Sequence, residues 1–122
     1  MVLVDTSVWI SLYRQDKTDL GQKVWAVVTD NEAALCGQVW VEFVGGFKKE
    51  KDRHEYEQSL RIFPFLETTR SAFELAANFV AKYPRLGPGD AIIAATAIAN
   101  EADLFTLDGD FKLLVSEGLR LF

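Results

Sequence analysis

Asp5, Glu42, Asp90 and Asp108 each stand at the end of an apolar run or inside an otherwise apolar helical stretch. A carboxylate in apolar surroundings is costly unless it is paired, protonated or bound to a metal. Gathered at one edge of a sheet, such carboxylates repel one another, and a divalent cation is the usual remedy. Oxygen-only ligation selects hard cations, magnesium or manganese. A site of that kind suits phosphodiester chemistry. A bound cation stabilises charge on phosphate oxygens and lowers the pKa of its water, so no side-chain nucleophile is required. The chain offers no evident one. Its single cysteine, Cys36, falls in the apolar run Ala33-Ala34-Leu35-Cys36 and reads as a small buried hydrophobe. Its single histidine, His54, lies in a charged helix and reads as solvated surface.

Each acid also has a local alternative. Asp5, ahead of Thr6-Ser7, is a good helix N-cap. Asp90 follows Pro88-Gly89 before an apolar helix, another start signal. Asp108-Gly109 makes a turn. Glu42 is the hardest to explain locally: it lies between Val41 and Phe43, one turn after Gln38 and Val39, with no other charge before Lys48. The hydroxyls of Thr6 and Thr106 either cap backbone locally or orient a carboxylate or a metal-bound water.

The elements that position these residues alternate in type. Val2-Leu3-Val4 reads as a buried parallel strand. It is followed by a short helix with Val8, Trp9, Ile10 and Leu12. After a polar loop, Gln15 to Asp19, a second helix carries Leu20, Val24, Val27 and Val28 at helical spacing. Ala33 to Cys36 is a second strand. A very apolar helix then runs from Gly37 to Phe47, its end weakened by Gly45-Gly46. Lys48 to Arg61 is a charged helix with Lys51–Glu55, Arg53–Glu57 and Glu57–Arg61 at i,i+4. Phe63 to Leu66 is a loop and short strand, and Phe73, Ala76, Phe79, Val80 and Tyr83 form one face of the next helix. Pro84 to Gly89 breaks the chain. The run Ala91 to Ala99, apolar on all sides, predicts a fully buried helix. Leu104 to Leu107 is a strand, Phe111 to Ser116 a short helix, and Leu119 to Phe122 a final strand. The alternation implies an α/β fold, a three-layer α/β/α sandwich with a central parallel sheet. Ligands bind beyond the carboxyl ends of strands in such sheets.

With 122 residues and an apolar fraction of 49%, the chain is expected to form one domain, residues 1–122, with a real core. The net charge of −5 argues against nucleic-acid binding by bulk electrostatics but leaves room for a local basic patch. Lys48, Lys49, Lys51 and Arg53 form one basic cluster, read first as a solvated face because Glu50 and Asp52 interrupt it. Arg14 and Arg85, near the active-edge loops, are equal candidates for phosphate contacts. Trp9, Trp25 and Trp40 read as core or interface residues. No signal peptide is evident, no apolar run approaches the ~20 residues of a membrane helix, and a single cysteine suits a reducing compartment. A cytoplasmic location is the expectation.

The order and context of the acids resemble the PIN domain family of ribonucleases, with the nearest likeness to the VapC toxins of toxin–antitoxin pairs. The matching pieces are Val-Leu-Val-Asp5-Thr6-Ser7, Val-Trp-Val-Glu42-Phe, Gly-Asp90-Ala-Ile-Ile-Ala-Ala-Thr-Ala and Leu-Phe-Thr106-Leu-Asp108-Gly-Asp110-Phe111. No one of them is specific; four in this order are. The resemblance implies an RNA-cleaving quartet, Asp5, Glu42, Asp90 and Asp108, around one or two magnesium or manganese ions, with Asp110 competing with Asp108 for the last place. It further implies a small antitoxin of the VapB type, whose C-terminal segment wraps the toxin, and a homodimer. Two rivals stand beside it. A PIN domain that matures RNA without an antitoxin would carry the same site. A phospho-acceptor receiver domain would need paired acids after the first strand and a late lysine, and fits poorly.

Overall fold

In this computed structural model the described residues are 1–14, 19–30 and 32–122, without the side chains of Leu20 and Val28. The expected loop at 15–18 and the burial expected for those two side chains lie outside them.

Strand β1 (Val2–Val4) is buried throughout and lies at the centre of a parallel sheet. It pairs on one side with β2 (Ala33–Cys36) and on the other with β4 (Asp103–Phe105), while β3 (Phe65–Leu66) pairs with β2. The strand order is β3-β2-β1-β4. Strands covered on both faces have no solvent side to alternate towards, which is why β1 and β2 read as unbroken apolar runs.

The connections are helical. Helices α1 (Thr6–Tyr13) and α2 (Asp19–Thr29) link β1 to β2; α3 (Gly37–Val44) and α4 (Glu50–Leu60) link β2 to β3. Helices α5 (Arg70–Lys82) and α6 (Pro88–Ala99) carry the chain from β3 across the sheet to β4. Right-handed crossovers put the first two connections on one face and the third on the other, since the direction of progress reverses. The reversal leaves a crevice between β1 and β4 at their carboxyl ends. Helices α5 and α6 form the most extensive helix pair, and α6 also meets α3. Buried alanines Ala72 and Ala76 on α5 and Ala91, Ala94, Ala95 and Ala97 on α6 permit that close approach.

Several elements differ from the sequence reading. Helix α3 ends at Val44 with Gly45 as its C-cap, three residues short of Phe47. The glycine pair stops the helix outright and turns the chain. In α4 only Arg53–Glu57 closes among the three expected pairs, at 3.8 Å. On α5 the buried residues are Ala72, Ala76 and Phe79, and Phe73 and Val80 are exposed. The small residues that let α6 approach decide the inner face, not the largest apolar ones. Helix α6 is buried from Ile93 to Ala97, though Ala99 at its end is exposed. The expected last strand is a single parallel bridge, Leu104 to Leu121. It is held by Leu104 N donating to Arg120 O at 2.8 Å and Phe122 N to Leu104 O at 2.8 Å. Before it, residues Gly109–Glu117 form a 3-10 helix, longer than the short helix expected there.

Candidate active site

Asp5 terminates β1, and its backbone N–H donates to Phe105 O at 2.9 Å, so the ends of β1 and β4 lie side by side. It occupies the N-cap position of α1, yet its carboxylate makes no capping bond. Instead Oδ2 accepts from Ser7 Oγ at 2.7 Å and from Thr106 Oγ1 at 2.8 Å. The residue is only 4% exposed. A buried carboxylate that forgoes its cap is held for something else.

The two hydroxyls that hold Asp5 are themselves oriented. Leu107 N donates to Ser7 Oγ at 3.2 Å and Asp108 N to Thr106 Oγ1 at 3.0 Å. Each hydroxyl thus accepts from the loop after β4 and donates to Asp5, which fixes its single proton. Asp108 behaves as the turn reading expected: its Oδ1 accepts from Asp110 N at 2.9 Å and caps the 3-10 helix. Asp110 pairs with Arg85, Nη2 to Oδ1 at 3.0 Å, at the exposed rim.

Glu42, in α3, is half-buried with both oxygens engaged. Thr6 Oγ1 donates to Oε1 at 2.6 Å and Gln38 Nε2 to Oε2 at 2.9 Å. Glu42 is therefore held in place and is not a free surface side chain, and Thr6 serves a carboxylate 36 residues away rather than its own helix. Gly89, at the start of α6, lies against this pair. A Cβ there would collide with Glu42 Oε2 and approach Gln38 Nε2 to 3.0 Å. The missing side chain lets α6 seat on the Glu42 carboxylate.

Asp90 follows as the third residue of α6. The N-cap is Gly87, so Asp90 is not the cap. Its carboxyl is pushed up from 3.8 to about 6, first by burial and then by the charges of Asp5, Asp108, Glu42 and Asp110. Asp90 therefore lies within electrostatic reach of the other candidate acids. Among the described residues, no three Asp, Glu, His or Cys side chains are drawn together as a ready-made ligand set. The acids form a mutually repelling group with oxygen donors only, whose chemistry fits a hard divalent cation.

Ser7, Gln38 and Gly89 touch the candidate acids and were not singled out as site residues by the sequence. Gln38 had a signal, one helical turn before Glu42; Ser7, two residues after Asp5, had a weaker one; Gly89 had none. Of the cations, Arg14, Lys48 and Lys49 line the same groove as Glu42, while Lys51 and Arg53 do not. Trp9 is core, its Nε1 donating to Val4 O at 3.2 Å. Trp40 is half-buried against Phe65. Trp25 is 57% exposed and so belongs to the surface, not the core. Cys36 is buried, which pushes its thiol up, and His54 is exposed.

A parallel sheet with Asp5 at the carboxyl end of its central strand, and Asp90 within electrostatic reach of Asp5, Glu42 and Asp108, defines an α/β protein with an acidic edge. The chain belongs to the PIN domain family, whose model matches residues 2–115. It is 25% identical over 122 residues to the VapC ribonuclease Mb1587 of Mycobacterium bovis and to ribonuclease VapC11 of Mycobacterium tuberculosis, covering 93% of this chain and 91% of each relative. Among solved structures it is similar to a toxin–antitoxin complex from Klebsiella pneumoniae, with a TM-score of 0.78, 26% identity, and 91% of this chain and 90% of that one covered. The fold is shared equally with VapBC2 from Rickettsia felis bound to a promoter DNA fragment, TM-score 0.79 at 18% identity, over 100% of this chain and 98% of that one.

Proposed function

We propose that this protein is a metal-dependent endoribonuclease, the toxin of a type II toxin–antitoxin pair, working in the cytoplasm as one PIN domain over residues 1–122. The observation that carries the reading is the buried Asp5 carboxylate, withdrawn from capping and braced by two oriented hydroxyls beside three further acids. The ribonuclease relatives and the toxin–antitoxin neighbour support the same reading.

Asp5 and Asp90 would hold magnesium or manganese, one or two ions, with Glu42 and Asp108 completing the shell. When bound, the cation supplies charge neutralisation at the phosphate and a more acidic water. The chain's own residues supply placement. Ser7 and Thr106 fix the rotamer of Asp5, and Thr6 and Gln38 fix Glu42, so neither carboxylate must reorganise during reaction. Asp90 carries a proton below about pH 6 when no cation is present and must release it as one binds.

The partner would be an antitoxin of the VapB type. A groove of about 580 Å³ bordered by Trp9, Leu12, Trp25, Tyr56 and Ile62 offers it an apolar seat. Ile62 is 80% exposed, and aromatic residues favour interface cores. An antitoxin arginine or lysine reaching the acids would compete with the metal. A homodimer is part of the proposal. Among the described residues, no helix is long and apolar enough to cross a membrane.

The test is incubation of purified protein with total RNA, with and without magnesium or manganese, beside Asp5→Asn. Metal-dependent cleavage absent from the variant is expected. Cleavage that survives chelation or the substitution would remove the metal-site reading. Expression in a host without growth arrest would move the protein to the RNA-maturation alternative.

A further inference from the structure

Glu42 opens onto a groove of about 450 Å³ whose other charged lining residues are Arg14, Lys48, Lys49 and, beyond the two lysines, Asp52, so cations outnumber acids three to two. Three features make this groove more than a solvated charged face. First, its cations come from two separate segments, the end of α1 and the turn after α3, brought together by the fold. Second, none of the three makes an ion pair among the described residues; Lys51 and Arg61, outside the groove, are likewise unpaired, so it is the placement of the three beside Glu42 that sets them apart. Third, the groove has a stiff aromatic floor. Phe47, directly before Lys48, packs on Tyr13 with ring centroids 5.1 Å apart, on Phe43 at 5.2 Å and on Tyr56 at 4.7 Å. That cluster fixes the turn bearing Lys48 and Lys49 relative to Glu42, and Tyr13 sits directly before Arg14.

We infer that this groove is a phosphate track for single-stranded RNA, in which Arg14, Lys48 and Lys49 hold backbone phosphates on one side of the bond to be cut. The inference rests on the ribonuclease reading and deepens it. A chain of net charge −5 whose acids surround the reacting phosphate repels a polyanion at the site. Cations placed beside the acids, not among them, offset that repulsion without displacing the metal. Phosphate contacts of this kind set the register of the strand and carry no sequence information. Lys51 and Arg53, next in the same basic run, lie outside the groove and take no part.

Two triple variants test this. Arg14→Gln, Lys48→Gln and Lys49→Gln removes the positive charge of the groove and leaves Glu42 and Asp52 in place; Lys51→Gln, Arg61→Gln and Arg70→Gln removes the same charge elsewhere. Both are made in the Asp5→Asn background, checked for an unchanged melt, and titrated in EDTA with a labelled single-stranded RNA over a range of salt. The groove triple should bind about tenfold or more weakly, with the slope of log affinity against log salt reduced by about 2, at ~0.7 per phosphate contact. The control triple should stay near the parent. With Asp5 intact and magnesium present, the groove triple should raise KM and leave kcat within a few-fold. Equal losses in both triples would reduce the effect to bulk charge and overturn the inference. So would unchanged RNA binding with loss of antitoxin binding, which would assign the groove to a protein partner. Failure of the parent to cleave RNA would instead defeat the ribonuclease reading, and leaves the binding comparison intact.

Discussion

The two sides of the acid site are built differently. On the strand side, Asp5 and the loop after β4 are joined by hydrogen bonds between residues about a hundred positions apart, Thr106 to Asp5 and Leu107 to Ser7. The strands are already paired in register there, so the hydroxyls span a fixed gap. On the helix side, Glu42 meets the start of α6 through packing, with α6 seated on α3 by way of Gly89, the residue before Asp90. Glu42 is braced by Thr6 and Gln38, but no hydrogen bond reaches the Asp90 carboxylate among the described residues. The strand side therefore holds its carboxylate by directed bonds, and the helix side leaves one acid to absorb the repulsion of the group. On the proposed reading, a cation would relieve the most repulsion at Asp90 and meet the best-held carboxylate at Asp5.

The largest effect should come from Asp5→Asn. It keeps shape but removes the anion that Ser7 and Thr106 brace, and cleavage should fall on the order of 10²–10³-fold or more. The same variant should lose the rise in melting temperature that magnesium or manganese gives the wild type. Glu42→Gln should likewise abolish cleavage with the fold retained.

Gly89→Ala comes next and probes the packed side alone. Its Cβ must displace Glu42 Oε2, and a misplacement of that kind costs roughly 10²-fold in rate. Activity within a few-fold of wild type would show that the α3–α6 contact tolerates a methyl group and that Glu42 is not held where the bonds suggest. Gln38→Ala and Thr106→Val each remove one brace and should each lower cleavage or metal affinity by about 10–100-fold, with metal affinity measured by calorimetry.

The smallest effect is one of stability and reads the comparison through pH. The carboxyl of Asp90 titrates near 6 in the folded chain against an ordinary 3.8. The shift is upward, so its favourable contribution is complete below pH 3.8 and is lost as pH rises through about 6. Above that, the metal-free protein bears the full penalty of the ionised group. Asp90→Asn should then stabilise the protein in EDTA by on the order of 1 kcal/mol at pH 8, discounted for partial exposure, and progressively less towards pH 4. Melts at pH 5 and pH 8 decide it. A gain that is larger at pH 5 would mean that Asp90 does not carry the strain of the cluster.

Much of this was legible in the chain itself. The parallel sheet followed from Val2-Leu3-Val4 and Ala33 to Cys36, because a strand covered on both faces has no polar alternation. The acids stood out because carboxylates are rare in such surroundings. Sequence by itself determined which residues the site has to work with and the order of the elements that carry them. Only the tertiary structure decided what each does. The local turn reading held for Asp108, the cap reading failed for Asp90, and Asp5 takes the N-cap position without its capping bond, since an N-cap and a braced carboxylate look alike until the partner hydroxyl, 101 residues away for Asp5, is in place. Gly89 gained its purpose from a contact with α3, and Lys48 and Lys49 separated from Lys51 and Arg53 once the glycine turn and the ring cluster under Phe47 had set their direction. Local pattern encodes burial and secondary structure because those depend on near neighbours. Which carboxylate is braced, and which cation faces it, depends on distances between elements far apart in the chain, and these exist only after the layers have packed.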